Sequence, residues 1–221
     1  MMRLSTVLIV FLVFFLSNAV VGQVNVGFLG GVNIANLSGE DEDGTELDFN
    51  SRTGIGIGGM LDVVLNENLS LVFQPMYLQK GAKQTEDGMD FTWKSTYIEV
   101  PVLLRVTFGS GSTRPYLMGG ANVGFLMSSD LELEMGVISA GIDAKDLMES
   151  ADFGVAIGGG VLFQLENLNL FVDGRYNLGL SDVFKGGRIS FEGETGNIPD
   201  AEVKTNGIQI MGGIIIPLGS Q

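Results

Sequence analysis

Four charged side chains interrupt segments that otherwise alternate between apolar residues and small or polar ones. They are Glu99, Arg105, Asp173 and Arg175. Carboxylates and guanidinium groups at such positions could form a charged constriction or a proton relay, and they could equally form ion pairs that fill and lock a crowded interior. Which role applies depends on the elements that carry these residues and on the space that those elements enclose.

The residue types that most often carry catalysis are missing from this chain. It contains no His and no Cys, so it lacks the commonest general base, the commonest metal ligand and any thiolate. We therefore expect a protein that is not an enzyme. The sequence also predicts no catalytic residues and no cofactor.

Two short motifs resemble known binding loops but lack the required context. A G-x-G-x-x-G string begins at Gly54, yet these glycines continue an alternating strand instead of opening a helix. An acidic run at residues 41–44 resembles the start of a calcium loop without the alternating spacing of its ligands. We interpret the glycines as sites of bending or close packing and the acidic run as a solvated loop, so the sequence predicts no metal site.

Alternation with a period of two is the main structural signal. It is clearest over residues 96–108, where one phase is apolar and the other carries Glu99 and Arg105. Similar segments occur at residues 24–35, 52–65, 69–80, 116–128, 152–165, 168–180 and 207–218. A tilted strand needs about 9–11 residues to cross the hydrocarbon of a membrane, and these segments are long enough. The chain therefore predicts about eight strands.

The gaps between these segments alternate between long and short. The long gaps lie near residues 36–52, 82–94, 129–151 and 181–203, and the short ones at 66–68, 109–113 and 166–167. Outer-membrane barrels have short periplasmic turns and long outer loops, so this rhythm places both termini in the periplasm. Within the third long gap we predict an extension of the fifth strand over residues 131–137 and one or two helical turns over residues 143–150.

The composition of the two phases distinguishes a membrane barrel from a soluble barrel of the lipocalin type, whose apolar residues point inward. The polar phase is rich in Gly with few, mixed charges, which suits a crowded interior, and the apolar phase is almost unbroken, which suits lipid. We predict an all-β fold: an eight-stranded, antiparallel, up-and-down transmembrane β-barrel with short periplasmic turns and long extracellular loops. Since such an interior is just wide enough for side chains, the four charged residues are predicted to form a polar network inside it.

The N-terminus has the pattern of a secretory signal. Arg3 precedes an apolar run from Leu4 to Leu16, and small residues follow up to Gly22. We predict a signal peptide at residues 1–22 and one outer-membrane barrel domain at residues 23–221. The alternative is an uncleaved anchor, although the apolar run is shorter than the roughly 20 residues of a spanning helix.

The charge of the chain is strongly acidic and unevenly distributed. A formal net charge of −14 argues against nucleic acid as a partner, because phosphate binding needs Lys and Arg. Most of the carboxylates fall in the four long gaps, and few fall in the alternating segments. The loops, rather than the wall, are therefore the predicted contact surface.

One segment resembles a known family. Residues 97–105 read Tyr-Ile-Glu-Val-Pro-Val-Leu-Leu-Arg, which is similar to the fourth strand of PorT-family outer-membrane β-barrel proteins of the Bacteroidetes lineage. Further similar motifs follow in order at residues 30–37, 114–117, 143–154 and 175–180. The resemblance implies an outer-membrane barrel of a Gram-negative bacterium. It implies little chemistry, although the namesake member takes part in gliding and type IX secretion.

The leading functional hypothesis is a small closed outer-membrane barrel with a structural or interaction role, whose acidic extracellular loops meet partners. The alternative is a narrow, porin-like transport barrel or a type IX secretion-accessory barrel. The predicted partners are outer-membrane lipids and an extracellular or secretion-system protein. A membrane-embedded hydrolase is disfavoured, because known barrel proteases and phospholipases rely on His.

Overall fold

The computed structural model describes residues 23–40, 49–86, 89–135, 138–191, 194–198 and 202–218. This part of the chain is almost entirely β-strand: β1 (Val24–Glu40), β2 (Asn50–Asn66), β3 (Leu69–Phe73), β4 (Met76–Glu86), β5 (Met89–Thr107), β6 (Thr113–Met135), β7 (Ile138–Asp143), β8 (Ala151–Gln164), β9 (Asn169–Gly179), β10 (Gly187–Phe191), β11 (Glu194–Ile198) and β12 (Glu202–Pro217). A 3-10 turn, Lys145–Leu147, lies between β7 and β8. The described ranges contain no helix long and apolar enough to cross a membrane. The predicted signal peptide, residues 1–22, lies outside them.

The strand pairs are antiparallel, and following them from neighbour to neighbour leads around a ring. β1 pairs with β2, and β2 pairs with both β3 and β4, which in turn pair with β5. The ring continues through β6, β8, β9 and β12, and β12 pairs with β1. If β3 and β4 are counted as one interrupted strand, the ring has eight places.

The interruption between β3 and β4 makes this side of the ring uneven. The ladder between β2 and β4 skips from Ser51 to Gly56. Pro75 lies at the break. Proline has no N–H and cannot donate a hydrogen bond to a neighbouring strand, so it is tolerated where the ladder is interrupted. The backbone nearby stays hydrogen-bonded, since Gly59 N–H donates to the Pro75 oxygen at 3.0 Å and Gln74 N–H donates to the Pro101 oxygen at 3.1 Å.

The two phases of each strand face opposite sides of the ring. On β9, Val172 and Tyr176 are 55% and 46% exposed, whereas Asp173 and Arg175, between them in sequence, are 3% and 2% exposed. The apolar phase predicted to face outward is thus the exposed one, and the polar phase lies inside. This arrangement suits a wall that meets lipid on its outer face.

The long gaps contain more strand than the sequence predicted. β4 and β5 run through most of the gap at 82–94, and β10 pairs with β11 within the gap at 181–203. The predicted extension of the fifth strand corresponds to the end of β6, which reaches Met135 and pairs with β7. Residues 143–150, for which one or two helical turns were predicted, contain one 3-10 turn of three residues. Alternating sequences continue beyond the wall, and their backbone groups pair in hairpins. The acidic run at 41–44 lies outside the described residues.

Glycine lets the interior pack closely where an aromatic ring meets the wall. A Cβ on Gly213 would lie 2.7 Å from Phe171 Cε1 and would also collide with the carbonyl oxygen of Phe28. Phe171 belongs to the main interior cluster, which comprises Leu29, Met60, Val72, Met76, Leu78, Leu103, Tyr116, Met118, Ala156, Leu162, Phe171, Met211 and Ile215. Gly174 is different, because no heavy atom lies within 4 Å of the position of its Cβ.

We expect Gly213→Ala to destabilise the barrel by about 1–3 kcal/mol, because the added methyl group overpacks the space against Phe171. Gly174→Ala on the neighbouring β9 is the matched control and should change stability by less than about 0.5 kcal/mol. Heat-modifiable migration on SDS gels gives the melting midpoint of each variant. Equal midpoints for the two variants would contradict the close packing at Gly213.

Candidate functional site: the barrel interior and its outer mouth

One ion pair lies close to the end of the barrel where the short connections are. Arg105 on β5 donates through Nη2 to Asp62 Oδ2 on β2 at 2.7 Å. The Nδ2 of Asn25 on β1 donates to the same oxygen at 3.2 Å. Arg105 reaches across β3, where its Nη2 lies 3.4 Å from the Ser70 hydroxyl. These contacts tie four consecutive strands of the ring together.

A second ion pair is attached to the first through an aromatic ring. Arg175 contacts Asp173 at 3.0 Å and donates to Gln74 Oε1 at 2.6 Å. The Tyr116 hydroxyl donates to Asp173 Oδ2 at 3.1 Å, and the Tyr116 ring centre lies 5.6 Å from the guanidinium carbon of Arg105. A guanidinium at this distance from an aromatic face is favourable, so Tyr116 joins the two pairs into one layer.

A separate layer lies nearer the end with the longer connections and contains one cation between two carboxylates. Lys80 Nζ forms an ion pair with Glu99 and a second one with Asp152 Oδ2 at 2.9 Å. The Thr205 hydroxyl donates to the same Asp152 oxygen at 2.7 Å, and Gln209 Nε2 lies 3.5 Å from Glu99 Oε1. This layer connects β4 and β5 on one side of the barrel to β8 and β12 on the other.

The structure places all four residues of the predicted network in the interior, where each is buried: Glu99, Arg105, Asp173 and Arg175. Of these four, Asp173 and Arg175 contact each other directly. Glu99 and Arg105 do not join that pair directly, since each has a different counter-ion. The interior therefore holds two layers of ion pairs instead of one continuous cluster.

Three partners of these residues were not predicted as part of the network. They are Asp62, Lys80 and Asp152, which are all buried. Asp62 and Lys80 share the inward phase of their segments with glycines and other polar residues, so the phase alone could have identified them. Asp152 lies at the beginning of its segment, where the phase gives little guidance.

The mouth of the barrel at the end with the longer connections is filled by a second apolar cluster. Its buried members are Leu37, Ala82, Tyr97, Leu126, Met148, Val183 and Val203, with Phe49, Trp93 and Phe184 packed against them. Met148 and Phe184 form an antiparallel bridge between the loop before β8 and the loop after β9. Val183 N–H donates to the Val203 oxygen at 2.8 Å, which fastens the second loop to β12.

These two features define what the interior can do. Ion pairs between distant strands hold the wall together, and the apolar cluster covers the layer of Lys80 from the outside. Within the described ranges, no group of three or more His, Cys, Asp or Glu side chains is arranged to hold a metal ion. The interior is filled by side chains, and its charged groups pair with one another, although some buried polar atoms, such as Arg105 Nε and the Tyr97 hydroxyl, have no hydrogen-bond partner among the described residues.

Comparison with known proteins gives a family and a fold. A family model described as "Outer membrane protein beta-barrel domain" matches residues 17–185. The outer membrane protein OprG from Pseudomonas aeruginosa is similar in structure, with a TM-score of 0.54 and 14% identity over 90% of this chain and 98% of that one. Neisserial surface protein A gives a TM-score of 0.48 and 14% identity, over 88% of this chain and 97% of its own. No curated protein matches the sequence.

We expect Arg105→Ala to destabilise the barrel by about 3–5 kcal/mol, because it leaves the Asp62 carboxylate buried without its cation. The measurement is the temperature at which the folded band disappears on SDS gels. Arg114→Ala is the matched control, since Arg114 donates only to exposed acceptors at the turn, Glu67 O and Asn68 Oδ1. The double variant Arg105→Met with Asp62→Leu should recover much of the loss. An unchanged midpoint for Arg105→Ala would refute the interior ion pair.

Proposed function

This chain belongs to the outer membrane protein beta-barrel domain family and lies in the bacterial outer membrane, and from that premise we propose that it is a small closed barrel with a structural or interaction role. The proposal counts β3 and β4 as one strand, which gives an eight-stranded, up-and-down transmembrane barrel. It assigns the protein no catalytic step. Partners are met by the acidic extracellular loops.

The connections between strands support this orientation. Residues 67–68 join β2 to β3, residues 108–112 join β5 to β6, and residues 165–168 join β8 to β9. All three connections are short and lie at one end, together with the first residue of β1 and the last of β12. Short connections are the periplasmic ones in this class of barrel. The opposite end, with its longer excursions, then faces the exterior.

The filled interior is the observation that carries the closed-barrel proposal. Two layers of ion pairs cross it, and the apolar cluster around Val183 and Met148 covers its outer mouth. A barrel of eight strands has room for side chains but not for an aqueous channel. This packing favours a structural or interaction role over the porin-like alternative.

The surface outside the membrane supports contact with partners. Exposed carboxylates at this end of the described chain are Asp90, Asp130, Asp143, Asp146, Glu149, Asp182 and Glu202. Such a field attracts cationic partners and raises their rate of association. The resemblance to PorT-family proteins makes a secretion-system protein one candidate partner, and that finer assignment remains a prediction.

Conductance separates the closed barrel from the porin-like alternative. We expect the full-length protein, reconstituted into planar bilayers, to produce no large and stable conductance steps, because side chains fill the interior. Insertion is verified separately by protection from protease and by heat-modifiable migration. Regular, long-lived steps in verified insertions would overturn the closed barrel.

Charge neutralisation tests the role of the outer loops. We expect the variant Asp143→Asn, Asp146→Asn, Glu149→Gln to bind fluorescent oligolysine roughly tenfold more weakly than the wild type at low salt, with a smaller difference at about 0.5 M NaCl. The control exchanges Glu166 in a periplasmic turn for Gln, and its effect is compared with one third of the effect of the triple variant, in units of binding free energy per charge removed. If the loop variant binds oligolysine as tightly as the wild type, the loops are not the contact surface.

A further inference from the structure

β7 lies outside the ring and pairs with the end of β6, which is the longest described strand. β6 contains 23 residues. Its first part pairs with β8, from Thr113 to Phe125, and its last part pairs with β7, from Asp130 to Met135. β7 therefore occupies the same edge of β6 as β8 does, but beyond the wall. Among the described strands, β7 pairs with β6 and with no other.

The hydrogen bonds of β7 have a definite phase. Ala144 N–H donates to the Ser129 oxygen at 2.9 Å, one step beyond the pair of Asp130 with Asp143. In an antiparallel ladder, hydrogen-bonded pairs alternate with pairs that are not bonded to each other. Ile142 and Ala140 therefore direct their N–H and C=O groups toward β6. The backbone groups of Gly141, between them, point away from the sheet.

The edge at Gly141 has no second strand beside it among the described residues. Gly141 is exposed, and no heavy atom lies within 4 Å of the position where its Cβ would be. Natural edge strands are commonly blocked by Pro, by Lys or by an inward charge, and the sequence Ile-Ser-Ala-Gly-Ile-Asp of β7 contains no Pro and no Lys. The N–H and C=O groups of β7 that face away from β6 pair with no other described strand, and such groups are a template for another strand.

The surroundings of this edge are acidic. Residues 130–149 contain six carboxylates and one lysine, and one of the six, Glu132, forms an ion pair with Lys94. Asp130 and Asp143 lie opposite each other in the β6–β7 pair and are both exposed. Their field favours an incoming segment with positive charge. It disfavours a second copy of this chain, because two β7 edges would bring like charges together.

We propose that the free edge of β7 is a docking site for an extended, basic segment of a partner protein, which joins the outer sheet as an additional strand. Main-chain hydrogen bonds to Gly141 and its neighbours of the same phase give the affinity, and the carboxylates select basic side chains. This inference rests on the proposed contact role of the outer loops, and it adds the binding mode and the chemistry of the partner.

The test compares two substitutions of one residue in the full-length barrel in detergent. Gly141→Pro removes the N–H that points to the open edge and leaves the bonds to β6 in place, since proline is accepted where an edge N–H faces solvent. Gly141→Ala keeps the N–H and meets no neighbour. The probe is a labelled decapeptide of alternating lysine and valine. The control peptide has the same sequence with every backbone amide N-methylated, which keeps the charge and removes the backbone donors of both edges.

We expect Gly141→Pro to weaken binding of the decapeptide at least about fivefold, the effect of losing roughly one hydrogen bond, while Gly141→Ala stays within about twofold of the wild type. The N-methylated peptide should bind the wild type more weakly than the unmodified decapeptide does. Its affinity should be the same for the wild type, Gly141→Pro and Gly141→Ala. Heat-modifiable migration verifies that both variants are folded.

The other outcomes overturn the docking site in distinguishable ways. If Gly141→Pro and N-methylation leave binding unchanged, the peptide is held by charge alone, so the strand-addition mode is wrong while the contact role of the acidic loops stands. If neither peptide binds the wild type, β7 is not a docking edge. If oligolysine also fails to bind, the proposed contact role is wrong as well.

Discussion

The structure depends on one constraint: a backbone that crosses lipid must satisfy all of its hydrogen bonds within the protein. A sheet in that position has to close, and here the ring of antiparallel pairs returns from β12 to β1. Closing so few strands leaves a narrow interior. That narrowness in turn requires glycine where Phe171 meets Gly213, and it presses the inward charged side chains into contact. Packing and electrostatics inside the barrel both follow from closure.

The ion pairs inside the wall act on register more than on net stability. The attraction within a buried ion pair is about as large as the desolvation penalty of its two charges. A buried charge without its partner, in contrast, destabilises the fold by several kcal/mol. Arg105 meets Asp62 across β3, and Lys80 meets Asp152 across the barrel, so a slip of one strand by a residue would separate them and turn the charges toward lipid. The charges thus penalise the wrong registers that the glycine-rich strands would otherwise tolerate.

The sequence was sufficient for local features and insufficient for those that depend on the ring. Period-two alternation located the strands, and the phase placed Glu99, Arg105, Asp173 and Arg175 on the inward side. The phase also places Asp62 and Lys80 on the inward side, but which residues pair could not be predicted, because the contact of Lys80 with Asp152 depends on the relative stagger of strands far apart in sequence. The apolar cap was also missed, since Val183 and Met148 lie in short irregular loops without periodicity. The one or two helical turns predicted at residues 143–150 correspond to a single 3-10 turn, since segments this short do not sustain an α-helix alone.

The seam between β1 and β12 also determines the order in which this molecule can assemble. Asn25 pairs with Pro217, so nearly the whole described chain lies between the two strands that close the ring. Contacts of such large sequence separation form slowly, because the entropy of closing the loop is lost before the contacts return any energy. Until β12 pairs with them, β1 and β9 each have an open edge. Intermediates with unpaired strand edges are prone to aggregation. Pairing of β12 with both neighbours is therefore the step that removes the last open edges of the ring.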